Sequence, residues 1–111
     1  MGIRNESRDI LFLSSVSPSV NESEVIDVTL IDSYNIQAYW EDLGSFTGRI
    51  ELLASNSGKI FTTIDESIAS ISGTDSHMYN APLIGYRFIK LRFSCFSGLV
   101  NFACDINTKG W

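Results

Sequence analysis

The sequence has few of the side chains on which most enzymes depend. Its 111 residues include one histidine, His77, and two cysteines, Cys95 and Cys104. Any Ser-His-Asp triad, Cys-His pair or two-histidine metal site would have to include His77, which lies in a segment that we expect to be a loop. The cysteines have no metal-ligand spacing and no second pair. We therefore predict no catalytic residue, no metal site, no cofactor and no enzymatic activity.

Long apolar runs and a basic surface are also missing. No run approaches the roughly 20 apolar residues that cross a bilayer, and the first residues lack the apolar segment of a signal peptide. We expect a protein made in the cytosol, with no membrane partner. Phosphate binding needs a clustered basic surface. Because the net charge is −5, nucleic acid is not an expected partner.

The charge is unevenly distributed along the chain. Residues 1–66 carry eleven acidic and four basic side chains, whereas residues 67–111 carry two acidic and four basic ones. Complementary charge on a protein partner or on a neighbouring copy would suit this asymmetry. Two pairs of adjacent acids, Glu41-Asp42 and Asp65-Glu66, are either calcium ligands or solvated groups in loops.

Short runs of alternating apolar and polar residues fill most of the chain, and Ser, Gly, Asn and Asp separate them. This pattern predicts an all-β protein, an antiparallel β-sandwich or jelly roll. A chain of this length holds one core. We expect a flexible N-terminal arm at residues 1–8 and a single β-sandwich domain at residues 9–111. Within 34–41 the predicted core face is Tyr34, Ile36, Ala38 and Trp40, and 42–48 is predicted to be a loop.

Residues 85–106 alternate most clearly, and we predict two strands folded about a Ser97-Gly98 turn. The register of this hairpin defines one apolar and one polar face. The apolar pairs would be Ile89–Ile106, Leu91–Cys104, Phe93–Phe102 and Cys95–Val100, and the polar face would pair Lys90–Asp105, Arg92–Ala103 and Ser94–Asn101. Because the cysteines do not face each other in this register, we expect buried reduced thiols.

Aromatic side chains on the polar side of the alternation, or beside turns and termini, are candidates for contact with a sugar or a protein. The basic residues of the 85–106 hairpin and two residues of the arm could meet the same partner. The candidate interface residues are Ile3, Arg4, Tyr39, Tyr86, Arg87, Lys90, Arg92, Phe96 and Trp111.

Several segments resemble small β-sandwich virion proteins of tailed phages. They are Gly48-Arg49-Ile50-Glu51-Leu52-Leu53-Ala54-Ser55-Asn56-Ser57-Gly58, Gly85-Tyr86-Arg87-Phe88-Ile89-Lys90-Leu91-Arg92-Phe93, Ser97-Gly98 and Lys109-Gly110. Within that group the chain looks most like the capsid decoration, or staple, proteins of short-tailed enterobacterial phages. The resemblance implies a non-enzymatic protein that binds the outer surface of the assembled head and bridges subunits of the major capsid protein.

The same resemblance implies a homodimer on the capsid, with the host cytoplasm as its location during assembly. A Gly-Tyr-Arg-aromatic strand followed by a Ser-Gly hairpin also occurs in discoidin-like sugar-binding jelly rolls. The alternative is therefore a carbohydrate- or receptor-binding module of a virion. Capsid attachment is the first hypothesis because of the resemblance to decoration proteins and because the sequence lacks catalytic residues.

Overall fold

A computed structural model describes residues 4–81 and 85–110 of the chain. Every strand pairing in it is antiparallel. The strands are β1 (Arg4–Val16), β2 (Ser19–Glu22), β3 (Ile26–Asp27), β4 (Ile31–Ser55), β5 (Thr62–Thr63), β6 (Ala69–Ser72), β7 (Asp75–Ala81) and β8 (Phe88–Gly110), with a 3₁₀ turn at Asp65–Ser67. The all-β fold predicted from the alternation is confirmed.

Strands β4 and β8 form a ribbon that runs through the whole molecule. They contain 25 and 23 residues, whereas ordinary strands have 3–10. They pair from Ile31 opposite Gly110 to Ser55 opposite Phe88. The ribbon is folded at its middle, because the rings of Phe93 and Phe102, from opposite halves of β8, stack with centroids 4.0 Å apart.

Folding the ribbon creates two four-stranded layers. The first layer contains β1, residues 99–110 of β8, residues 31–42 of β4, and β7. The second layer contains β2 and β3, residues 88–97 of β8, residues 47–55 of β4, and β6 with β5. We call the bent end of the sandwich the fold line and the opposite end the open end.

The backbone at the fold line shows how the bend is made. Gly98 and Ser45 have φ angles of 82° and 48°, and the β4–β8 register shifts on both sides of Gly44, as in β-bulges. The Asp42 carboxylate accepts hydrogen bonds from the Gly44 N–H at 2.7 Å and the Phe46 N–H at 3.2 Å. It therefore satisfies donors that the interrupted ladder leaves unpaired.

The outer strands change layer at the same level as the ribbon. The chain leaves β1 and enters β2 just after Ser15, which has a φ of 52°, and it passes from β6 to β7 through Gly73, which has a φ of 64°. β1 and β7 lie in the first layer, and β2 and β6 lie in the second. At each of the four strand positions, the chain therefore passes from one layer to the other at the fold line.

The core lies between the two layers, where the sequence pattern places it. The predicted apolar faces of residues 34–41 and 85–106 are confirmed, because all their members are buried: Tyr34, Ile36, Ala38, Trp40, Ile89, Leu91, Phe93, Cys95, Val100, Phe102, Cys104 and Ile106. Both cysteines are buried and free, also as predicted. Burial raises the pKa of the Cys104 thiol to about 12, so it stays protonated.

The predicted hairpin at residues 85–106 is wrong. β8 continues through Ser97 and Gly98, and both of its halves pair with β4 instead of with each other. The apolar side chains of the two halves of β8 meet across the core. Phe93 and Phe102 therefore stack between the two layers and are not paired on adjacent strands. Alternation marks which side of a strand is buried, but it does not distinguish a turn from a bend between layers.

Two further predictions need correction. Residues 42–48 are part of β4 and not a loop. Residues 4–8, which we expected in a flexible arm, begin β1 and pair with residues 106–110 of β8; residues 1–3 lie outside the described part of the chain. Backbone pairing orders this polar segment even though it has few apolar side chains to bury.

Gly98 should tolerate no side chain. An added Cβ would lie 2.5 Å from the Ser45 carbonyl oxygen and closer still to that of Gly44, in a backbone conformation that costs L-residues about 1–2 kcal/mol. With overpacking of about 1–3 kcal/mol, we expect Gly98→Ala to lower the free energy of unfolding by about 3 kcal/mol, measured by urea denaturation.

Gly73 provides the matched control for this variant. It also has a positive φ, but an added Cβ would meet nothing within 4 Å. Gly73→Ala should therefore lower the free energy of unfolding by only about 1–2 kcal/mol, which is what a positive φ costs an L-residue. Equal losses in the two variants would contradict the close approach of the Gly44 and Ser45 backbone to Gly98.

Candidate functional site

The outer face of the second layer carries an ion network. Glu22 on β2 contacts Lys90 Nζ at 2.8 Å and Arg92 Nε at 2.9 Å. Arg92 also lies 3.5 Å from the carboxylate of Glu51, which is only 4% exposed. Hydrogen bonds from Lys90 and then Arg92 lower the pKa of Glu22 against the opposing effect of burial. The predicted Lys90–Asp105 pair is wrong, and two of the candidate cations are neutralised within the chain.

Two other candidate residues contact their own neighbours near the open end. The Arg87 guanidinium lies 5.5 Å from the centre of the Phe88 ring, and its Nε donates to Thr29 Oγ1 at 3.4 Å. The hydroxyl of half-buried Tyr86 hydrogen-bonds to that of Tyr34. Burial, followed by this contact, raises the pKa of Tyr34. Tyr86 is thus part of the packing between layers.

The remaining candidates within the described residues do not form one surface. Tyr39 lies on the outer face of the first layer, and exposed Phe96 lies on the second layer near the fold line, with Arg49 5.8 Å from its ring centre. Arg4 pairs through its backbone with Gly110. Ile3 and Trp111 lie outside the described residues.

The outer face of the first layer contains a groove. It has a volume of about 500 Å³ and is lined by Phe12, Tyr39 and Ala103, together with Glu41, Asp75 and Asn101 among others. Phe12 and Tyr39 are 72% and 44% exposed. Each is the direct neighbour of Ala103 across β8. We call this feature the Phe12–Tyr39 groove.

The sequence pattern does not reveal Phe12 as a surface residue. It belongs to the run Ile10-Leu11-Phe12-Leu13, in which every residue is apolar and no alternation shows which one faces out. The β1–β8 register shifts between Asp9 and Leu11, so that Ile10 and Leu13 turn towards the core and Phe12 turns outward. A bulge of this kind reverses the faces of a strand, and no residue type in the run signals it.

Asp9 and Asp105 bring two negative charges together on the same outer face. They are direct neighbours on β1 and β8. Burial, followed by the charge of Asp9, raises the pKa of Asp105. Like charges directly opposite each other destabilise a sheet. The outer face of the first layer therefore carries two adjacent carboxylates, whereas Glu22 and Glu51 of the second layer contact cations.

His77 and Tyr79, two side chains that could take part in proton transfer, make packing contacts instead. His77 lies in β7 and not in the expected loop, with its ring 4.6 Å from that of Tyr79. The Tyr79 hydroxyl donates to the Ser67 carbonyl at 2.6 Å and so ties the two layers together. Within residues 4–81 and 85–110 we find no group of three metal-ligating side chains and no helix long and apolar enough to cross a membrane.

Exposed apolar side chains lie at both ends of the sandwich. Leu30 and Ile60, at the open end, are 80% and 78% exposed, and Leu43, Phe96 and Leu99 are exposed at the fold line. The molecule measures 48 × 28 × 20 Å. A half-strand of about 12 residues spans about 40 Å, so the long axis follows the strands and separates the two apolar ends.

Comparison with known proteins identifies the fold. No family model and no curated protein sequence matches the chain. Among solved structures, the PBSX exported protein XepA superposes with a TM-score of 0.73 at 12% identity, over 95% of this chain and 37% of that one. The chain thus spans little more than a third of XepA.

Two further structures match over most of both chains. The SPBc2 prophage-derived protein YomS has a TM-score of 0.60 at 16% identity, over 99% of this chain and 96% of that one. A protein of Bacillus endospore appendages, described as a novel family of disulfide-linked pili, has a TM-score of 0.60 at 12% identity, over 97% and 88%. Similarity at these identities establishes a shared fold.

Asp105→Asn should stabilise the protein at neutral pH. The folded state raises the pKa of Asp105 above its ordinary value. Above the folded-state pKa, the ionised carboxylate therefore lowers the free energy of unfolding. This loss of stability disappears as the pH falls below the unfolded-state pKa. Removing the repulsion should contribute about 0.2–1 kcal/mol near pH 7 and nothing near pH 3. Urea unfolding at both pH values measures the difference.

Asp27→Asn is the control, because the pKa of Asp27 is lowered by hydrogen bonds from Thr29. Its ionised form strengthens folding above the unfolded-state pKa, so this substitution should weaken the protein at neutral pH and have less effect as the pH falls. Destabilisation by Asp105→Asn at neutral pH would show that Asp9 and Asp105 do not repel each other.

Proposed function

We propose that this protein is a non-enzymatic structural component of a phage particle, which binds the outer surface of the assembled head and bridges neighbouring subunits of the major capsid protein. The observation that carries this proposal is the elongated sandwich with exposed apolar side chains at both ends. The sequence resemblance to capsid decoration proteins and the fold shared with prophage proteins support it.

The two apolar ends fit a bridging role because they are held apart by continuous strands. The half-strands of β4 and β8 run from the open end, near Leu30 and Ile60, to the fold line, near Leu43 and Leu99. Neighbouring surfaces about 40 Å apart could each bury one end. Exposed apolar side chains contribute to binding when a partner removes their surface from water.

The construction of the sandwich suits a protein that must resist strain. The same two strands supply the centre of both layers, so neither layer can separate without disrupting β4 and β8. A ligand that binds only the assembled form stabilises it by mass action. Copies bound at symmetry-related sites, as homodimers across two-fold axes, would reinforce many subunit contacts at once. The proposed location is the capsid exterior, after assembly in the host cytoplasm.

A carbohydrate- or receptor-binding module of a virion is the second candidate. The Phe12–Tyr39 groove favours it, because exposed aromatic rings can stack on sugars. Calorimetric binding of a glycan that disappears in Tyr39→Ala would support this function over capsid attachment.

Addition of the purified protein to heads that lack it should give stoichiometric binding and raise the temperature at which the heads break. The double variant Leu30→Ser/Ile60→Ser removes the apolar side chains of the open end. We expect it to remain attached through the fold line but to lose most of the rise in disruption temperature. Co-sedimentation and a thermal disruption assay measure the two effects separately.

Val20→Ser is the matched control, since Val20 is exposed on the outer face of the second layer opposite Ser94, away from the open end. It should behave like the wild type in both assays. Absence of binding by the wild type would refute capsid attachment, and full protection of heads by the double variant would refute bridging through the open end.

A further inference from the structure

We propose that the Phe12–Tyr39 groove binds an arginine side chain that projects from a protein partner. This inference deepens the proposed function, because it assigns a surface and a chemistry to partner recognition. It depends on three features of the groove: the spacing of its two rings, the absence of a cation from it, and the charge of its polar groups.

The spacing of the rings suits one flat group. Phe12 and Tyr39 flank Ala103 on either side of β8. Because adjacent strands lie about 4.8 Å apart, the backbones at Phe12 and Tyr39 are separated by about 10 Å. Side chains at this spacing can flank one flat group between them, and a cation–π contact extends to about 6 Å from a ring centre.

Other aromatic rings of this chain are already covered by its own cations. Arg49 lies 5.8 Å from the centre of Phe96, Arg87 lies 5.5 Å from that of Phe88, and Lys90 lies 4.3 Å from that of Phe61. Among the described residues, no cation lies against Phe12 or Tyr39. The exposed rings of the groove thus lack the lysine or arginine that accompanies Phe96, Phe88 and Phe61.

The polar groups around the groove accept hydrogen bonds and carry negative charge. Glu41 and Asp75 line it, and none of its described lining residues is a lysine, arginine or histidine. Glu41 accepts one hydrogen bond from Asn101, and Asp75 accepts one from the Ser76 N–H. No salt bridge within the described part of the chain reaches either carboxylate, so both retain capacity for further donors.

These features favour arginine over other ligands. Its guanidinium is planar, always charged and weakly hydrated, it stacks on aromatic faces, and it donates hydrogen bonds without accepting any. An anionic glycan or a phosphate would be repelled by Glu41 and Asp75. A neutral sugar could donate hydroxyl hydrogen bonds to the two carboxylates, but it carries no positive charge to pair with theirs.

The test is a titration of the full chain with N-acetyl-arginine amide, followed by amide chemical shifts in NMR. We expect shifts centred on Tyr39 and Ala103 that weaken as salt is added. Phe12→Ala and Tyr39→Ala should each weaken binding by about two- to fivefold, and Glu41→Gln should weaken it while keeping the contact with Asn101. Phe96→Ala, which removes an exposed ring elsewhere, should leave binding unchanged.

N-acetyl-lysine amide and N-acetylglucosamine are the competing probes. Equal binding of the lysine probe would overturn the assignment to a planar cation. Shifts in the groove with the sugar but not with the arginine probe would overturn it in favour of a glycan site. Absence of groove shifts with every probe would overturn it outright.

Attachment of Tyr39→Ala to heads separates this inference from the proposed function. Loss of attachment by this variant alone supports both. Attachment equal to that of the wild type overturns the groove as the docking surface but leaves the proposed function intact. If the wild type does not attach, the proposed function fails, and the arginine titration still decides the chemistry of the groove.

Discussion

The shared bend of β4 and β8 is the constraint on which the rest of the structure depends. Two strands alone cannot bury an apolar face, and this long ribbon solves the problem by folding onto itself, so that Phe93 packs on Phe102 of the same strand. The bend requires a residue without a side chain at Gly98, where the backbones of β4 and β8 approach closely. It also requires acceptors for the N–H groups that leave the ladder, which Asp42 supplies.

The bend also decides how charge is distributed on the surface. The excess of acids in residues 1–66 is met partly within the chain, because Glu22 and Glu51 contact Lys90 and Arg92 in the second layer. In the first layer, Asp9 and Asp105 instead place two like charges side by side. One domain therefore presents two outer faces of different character, and the face with this carboxylate pair also carries the Phe12–Tyr39 groove.

Alternation was a reliable guide to burial and a poor guide to pairing. It identified the core faces of residues 34–41 and 85–106 because each strand has a buried and a solvent-facing side. It failed at Ser97-Gly98, where the same residues would suit a hairpin turn or a bend between layers. It also failed at Phe12, which lies in an uninterrupted apolar run next to a bulge. The candidate interface residues were scattered by the fold, since their contacts come from strands that are distant in sequence.

The sequence by itself determined the all-β class, the buried faces, the buried thiols and the scarcity of catalytic groups. These properties depend on residue type and on local spacing, which the chain carries without reference to its fold. Only the tertiary structure decided that Lys90 meets Glu22 instead of Asp105, and that Phe12 and Tyr39 flank Ala103. These neighbours are chosen by strand register and by the bend of the ribbon, and both follow from the packing of the whole core.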